Sequence, residues 1–262
     1  ENTSQDVNVT IGDVETNADD LVLTASSSNT DLLPNDGITI TLGGSGSARI
    51  VSFQPLANKN SNKNGSLSIT LTVSDGITAD NFDHTFVLTV TADNHAPLVG
   101  GVIGTALAYS ENDAATVINP DIILSDDDDT QLDGAKVSIS NSSFVSGDML
   151  VFTDQGSITG SYDSGNGVLT LTGTATLAQY QAALRTVTYQ SNSQDPTANA
   201  TQTNRSISWE VTDVNSDAAP NGVKTSPTVS SVINITVDND APVVNVASSL
   251  GYTEGDTATA IS

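Results

Sequence analysis

The chain has 262 residues and a formal charge of −24, from 31 acidic against 7 basic side chains. So few Lys and Arg cannot neutralise a phosphate backbone, which excludes nucleic acid as a partner and disfavours anionic membrane surfaces. There is no cysteine, hence no disulfide, zinc–thiolate site or thiol chemistry, and no apolar run is long enough to span a membrane.

Two domains are expected at roughly 100–150 residues each. The first 94 residues read as short alternating strands: Val7–Ile11, Leu21–Ala25, Ile38–Leu42, Arg49–Phe53, Leu67–Val73 and Thr85–Val90. Turn clusters separate them: Leu33-Pro34-Asn35-Asp36-Gly37, Gly43-Gly44-Ser45-Gly46, Asn60–Gly65 and Asp75-Gly76. His84 is expected to flank a strand.

Residues 95–240 continue the pattern at greater length. Strands are predicted at Ala106–Ser110, Ile122–Leu124, Lys136–Ser140, Leu150–Thr153, Val168–Thr172, Val187–Gln190, Ser206–Val211 and Val229–Val237. One stretch, 176–185, places Leu177, Tyr180 and Leu184 on one helical face, with Thr176 as N-cap. Segments 192–203 and 213–227 are predicted surface loops. Trp209 alternates in phase with Ile207 and Val211, which assigns it to the core. The fold class is therefore all-β, as tandem Greek-key sandwiches with one short helix in the second.

A phrase is repeated: Asp93-Asn94-His95-Ala96-Pro97 and Asp238-Asn239-Asp240-Ala241-Pro242, each following a β-like run. Tyr109-Ser110-Glu111-Asn112-Asp113 and Tyr252-Thr253-Glu254-Gly255-Asp256 follow the two copies and align, and Glu1-Asn2 matches Glu111-Asn112. The phrases mark boundaries: a module at 1–94 whose first strand is expected to be truncated, a module at 95–240, and the start of a third at 241–262. Of the 31 acids, 26 are Asp. That skew favours turns and hard-cation sites over helices. The densest group is Asp126-Asp127-Asp128-Asp129. A packed turn there needs a cation or raised pKa values, whereas an exposed loop does not.

Glu111-Asn112, Asp126–Asp129, Glu210-Val211-Thr212-Asp213 and Asp238-Asn239-Asp240-Ala241-Pro242 occur in an order that resembles cadherin repeats. The chain is more closely similar to the cadherin-like repeats of very large bacterial surface proteins, including RTX-type adhesins. Gly12-Asp13-Val14-Glu15-Thr16, Ile69-Thr70-Leu71-Thr72-Val73-Ser74-Asp75-Gly76 and the 180–189 segment are typical phrases of such modules. The resemblance implies Ca²⁺ at the junctions. Glu1, Asp93 and Asn94 would hold it with Asp126, Asp128 and Asp213 at the first. Glu111, Asp238, Asn239 and Asp240 would contribute at the second. It further implies a calcium-rigidified extender of a bacterial cell-surface or secreted adhesin, active in adhesion or biofilm attachment. Such a chain is expected to be a monomer whose partners are neighbouring modules, and possible targets are a surface glycan or protein. The linkers are shorter than the cadherin pattern, and His95 stands where the second copy has Asp240.

The alternative is a carbohydrate- or protein-binding module, with 141–167 and 192–204 as a binding rim. No catalytic residues are expected: nucleophile-elbow, zincin and activated-cysteine patterns are absent from the sequence.

Overall fold

The computed structural model describes residues 1–44, 46–77, 81–101, 106–241, 244 and 254–255. The first six strands are β1 (Gln5–Thr10), β2 (Val22–Ser27), β3 (Ile38–Leu42), β4 (Ala48–Phe53), β5 (Leu67–Ser74) and β6 (Phe82–Leu88). They form two three-stranded sheets, ordered β1-β4-β3 and β2-β5-β6. A one-turn helix, α1 (Ser61–Asn64), precedes β5. Alternation places Val51 and Phe53 of one sheet against Leu23, Leu67, Ile69 and Leu71 of the other, in one buried cluster. Gly43-Gly44 opens the β3–β4 hairpin as expected, with the Gly43 amide bonded to the Ala48 carbonyl at 3.1 Å. His84 lies inside β6 rather than beside it.

The second sandwich comprises β7 (Leu98–Gly100), β8 (Leu107–Ser110), β9 (Thr116–Val117), β10 (Ile123–Ser125), β11 (Gln131–Ile139), β12 (Asp148–Val151), β13 (Thr159–Asp163), β14 (Val168–Thr176), α2 (Leu177–Leu184), β15 (Thr188–Ser191), β16 (Asn204–Asp213) and β17 (Val229–Thr236). A six-stranded sheet runs β13-β14-β11-β16-β17-β8, facing a three-stranded sheet β12-β15-β9, with β10 paired to β7. Neighbours are antiparallel except β17 and β8, which run parallel from Ile233↔Leu107 to Thr236↔Ser110. Trp209 is fully buried beside Ile207 and Val211, in the same cluster as Tyr180, Ala183 and Leu184 of α2. Thr176 caps α2 through a reciprocal capping box with Gln179. The two buried clusters share no residue.

Three strands were not expected from the sequence: β7, β9 and β13. The first two have three and two residues, too few to show a period. β13 is an exposed edge strand, Thr-Gly-Ser-Tyr-Asp, without apolar alternation. The α1 turn replaces an expected loop because the Asn60 side chain accepts the Lys63 amide at 3.0 Å and caps it. Of 241–262, only 241, 244 and 254–255 are described, so the expected third module lies mostly outside the described residues. Among the described residues no helix is long and apolar enough to cross a membrane.

Candidate metal centre at the junction

Five loops converge where the two sandwiches meet. One is the N-terminus ahead of β1. The next is the capped turn at α1, and the third is the linker 93–97. The last two are the acidic turn after β10 and the loop after β16. Asp126 begins the acidic turn: its Oδ1 accepts the amides of Asp128 and Asp129, each at 3.1 Å. That Asx geometry folds four consecutive acids into a tight bend and turns Asp128 and Asp129 inward, where both are buried.

Each carboxylate is then fixed by a donor on one oxygen. Asp128 Oδ2 accepts the His95 amide at 3.0 Å. Asp129 Oδ1 accepts the Ser216 amide at 3.0 Å. Asp217 Oδ2 accepts Asn60 Nδ2 at 2.7 Å, and the same Asn60 amide donates to Glu1 Oε2 at 3.2 Å. The opposite oxygens, Asp126 Oδ2, Asp128 Oδ1, Asp129 Oδ2 and Asp217 Oδ1, are buried without a hydrogen-bond partner, and so is Asn94 Oδ1. Leaving a buried acceptor unmatched costs about 1–3 kcal/mol, more when it is charged. Glu1, Asp128 and Asp217 each bring one oxygen within 4.8 Å of the other two. At an effective dielectric of about 20, charged oxygens at that separation repel by roughly 3 kcal/mol per pair.

Proton affinities follow. Burial pushes Asp126 up to about 6, reinforced by the neighbouring Asp128 carboxylate and partly offset by the turn amides. Burial also raises Asp213. The Lys224 amide and Asn94 side chain oppose that shift, whereas Asp129 and Asp126 add to it. Lys63 brings a cation to the cluster: its Nζ donates to the Asp128 carbonyl at 2.5 Å. The orphaned oxygens fit a hard cation, which is bound by six to eight oxygens in irregular geometry.

The residues expected at the first junction take different places there. Asn94 Nδ2 donates to Asp213 Oδ2 at 2.7 Å and to the Gly222 carbonyl at 3.0 Å, which orients its free Oδ1. Asp213 is fully buried, but both its oxygens are engaged, since the Lys224 amide donates to them at 2.9 and 3.1 Å. Asp93 is exposed, with Oδ1 accepting Asn221 Nδ2 at 2.6 Å. Asp129 and Asp217 were missing from the expected set. Asp217 carries a faint signal, the alternation Asp213-x-Asn215-x-Asp217 in a segment predicted only as loop.

At the second junction the Asp238 amide donates to Glu111 Oε2 at 3.1 Å, as the Asp93 amide does to Glu1 Oε1 at 3.4 Å. Glu111 is buried, with Oε1 unpartnered. Asp238, Asn239 and Asp240 are exposed and line, with Asp195, an open groove of about 420 Å³. Among the described residues no group of three metal-ligating side chains forms around Glu111.

No protein-family model matches the chain. A stretch of 97 residues, 35% of this chain, is 38% identical to halomucin of Haloquadratum walsbyi and spans 1% of that protein. Among solved structures, a chimeric titin Z1Z2 functionalized with a peptide from decorin aligns over 92% of this chain and 91% of its own, at 11% identity and TM-score 0.25. Chicken VE-cadherin EC1-2 aligns over 88% and 92%, at 12% identity and TM-score 0.20. Scores that low record an alignment alone.

Proposed function

We propose that the chain is a structural spacer: two β-sandwich modules, 1–94 and 95–240, of a long extracellular surface array, stiffened by Ca²⁺ at their junction. The observation that carries this reading is the set of orphaned oxygens on Asp126, Asp128, Asp129, Asp217 and Asn94, beside Glu1. Bound there, Ca²⁺ would neutralise the carboxylates and give those oxygens the partner they lack. A cation bound only by the assembled junction stabilises it by mass action. Extracellular modules of this kind bind with Kd on the order of 10⁻⁴–10⁻³ M. Similarity to a short stretch of the much longer halomucin supports one section of a far longer chain; the repeated array, the cell surface and the adhesive role are part of the proposal. Small-angle scattering with calcium and with chelator tests it. The expected result is an extended, narrow particle with calcium and a broader distribution of shapes without it. An unchanged profile together with an unchanged melting temperature would sink the reading.

A second reading is a latch that needs no metal, favoured by the Lys63 ammonium on the Asp128 carbonyl. In that case Lys63→Met would loosen the junction while calcium changed nothing.

A further inference from the structure

The first module reaches across the junction with one short segment, Asn58-Lys59-Asn60-Ser61-Asn62-Lys63. Asn58 Nδ2 donates to the Asp127 carbonyl at 3.1 Å, Asn62 Nδ2 to the Asp217 carbonyl at 2.9 Å, and Lys63 Nζ to the Asp128 carbonyl at 2.5 Å. The acceptors sit on the two acidic loops of the second module, and all three are main-chain oxygens of acidic residues.

An ammonium beside four consecutive aspartates gains most by pairing with a carboxylate. Lys63 meets a carbonyl instead, while Asp128 Oδ1 stays without a partner. Neither ion pair among the described residues, Lys136–Glu210 and Arg205–Asp148, crosses the junction. Asn60 does take a carboxylate oxygen, Asp217 Oδ2, and leaves Asp217 Oδ1 open. The second module is thus gripped mainly by its backbone, and the oxygens that suit a cation are spared.

The gripping segment is itself stiff. Ser61 anchors it past the end of β6: its amide donates to the Val90 carbonyl at 2.8 Å and its Oγ accepts the Val90 amide at 2.9 Å. The Asn60 cap closes the α1 turn that carries Asn62 and Lys63. Asn58 sits at φ 56, a left-handed conformation that asparagine tolerates. Asn2 orients it, donating Nδ2 to Asn58 Oδ1 at 3.3 Å and accepting the Asn58 amide on its own Oδ1 at 3.0 Å.

We propose that residues 58–63 are a docking comb: with no cation bound, they hold the acidic loops of the second module by their carbonyls and so present the carboxylates ready for one. Asn58, Asn62 and Lys63 are positioning residues, not ligands. The docking needs no metal; only the gain in affinity rests on the cation reading. Unlike a latch that replaces the cation, the comb works with it, because loops already in place lower the ordering cost of binding.

The test uses the full chain and the double variant Asn62→Ala/Lys63→Met, whose two side chains are exposed. Lys59→Met, which removes the same charge from the same segment, is the control. Small-angle scattering in chelator is the first readout. Wild type and control should share one profile, broader than wild type in calcium but narrower than the double variant. Calorimetric titration is the second. The double variant should bind calcium about tenfold more weakly with every candidate ligand intact, and saturating calcium should return its profile to that of wild type. A double variant whose profile in chelator superimposes on wild type overturns the proposal, as does a control that broadens equally. Equal calcium affinity in wild type and double variant overturns the positioning role. A wild type that takes up no calcium removes the cation reading alone, and the profiles in chelator still decide the comb.

Discussion

At the scale of single residues, the junction is a set of carboxylates with one oxygen tied down and the other free. Asp217 is the sharpest probe. Asp217→Asn keeps an acceptor for Asn60 Nδ2 but removes a charge from the Glu1–Asp128–Asp217 triangle. Calorimetric titration should show calcium affinity reduced by at least about tenfold, with an unchanged fold. Asp126 gives a pH signature of its own. Its pKa is raised to about 6 in the folded protein, so the protonated form favours folding. That contribution is fully present below the ordinary carboxylate value near 3.8 and is lost as pH rises through about 6. In chelator, the melting temperature should therefore be higher at a pH near 5 than near 7.5, and Asp126→Asn should flatten the slope. Saturating calcium should reverse the trend, because protons then compete with the cation. Four of the six residues at this site, Glu1, Asn94, Asp126 and Asp128, were legible in the sequence. Asp126, Asp128 and Asn94 lie in short phrases with recognisable spacing. Asp217 is brought in by the path of a long loop and by a hydrogen bond to Asn60, 157 positions away, and nothing local encodes that.

At the scale of elements, alternation located the long strands and failed where the ladder itself is irregular. β11 was expected to begin at Lys136 and begins at Gln131. Leu132 and Ala135 are both buried, which a strict period of two forbids. A bulge resolves this: the register slips between Leu132 and Gly134, and the partner strand runs on past its expected end at Thr172 to Thr176. Gly173 makes the slip possible. It sits at φ +117, and a Cβ there would lie 2.0 Å from the Ser157 carbonyl oxygen. Its own carbonyl accepts the Tyr180 hydroxyl at 2.7 Å, tying α2 to the bulge. Gly173→Ala should cost about 3 kcal/mol or more, read by denaturant unfolding, against almost nothing for an alanine at the open, uncrowded Gly12.

At the scale of the whole molecule, two separate cores are joined through polar groups. Heating in chelator should resolve two transitions, the lower belonging to the first sandwich with its smaller core. Calcium should raise and draw together the two, which differential scanning calorimetry can follow. The second sandwich also has a bearing on load. The chain reaches β8 from the first junction and leaves along β17 at the second, and these two strands are parallel neighbours. Tension applied through the linkers pulls the pair lengthwise in opposite senses. Their hydrogen bonds, from Leu107 to the Glu111 amide on the Thr236 carbonyl, are loaded together as a lap joint in shear instead of opening one after another like a zipper. The Ser110–Thr236 hydroxyl contact at 2.9 Å adds to the same seam. A strand pairing that begins as a detail of topology thus decides which way the sandwich is strong: along the line of the array.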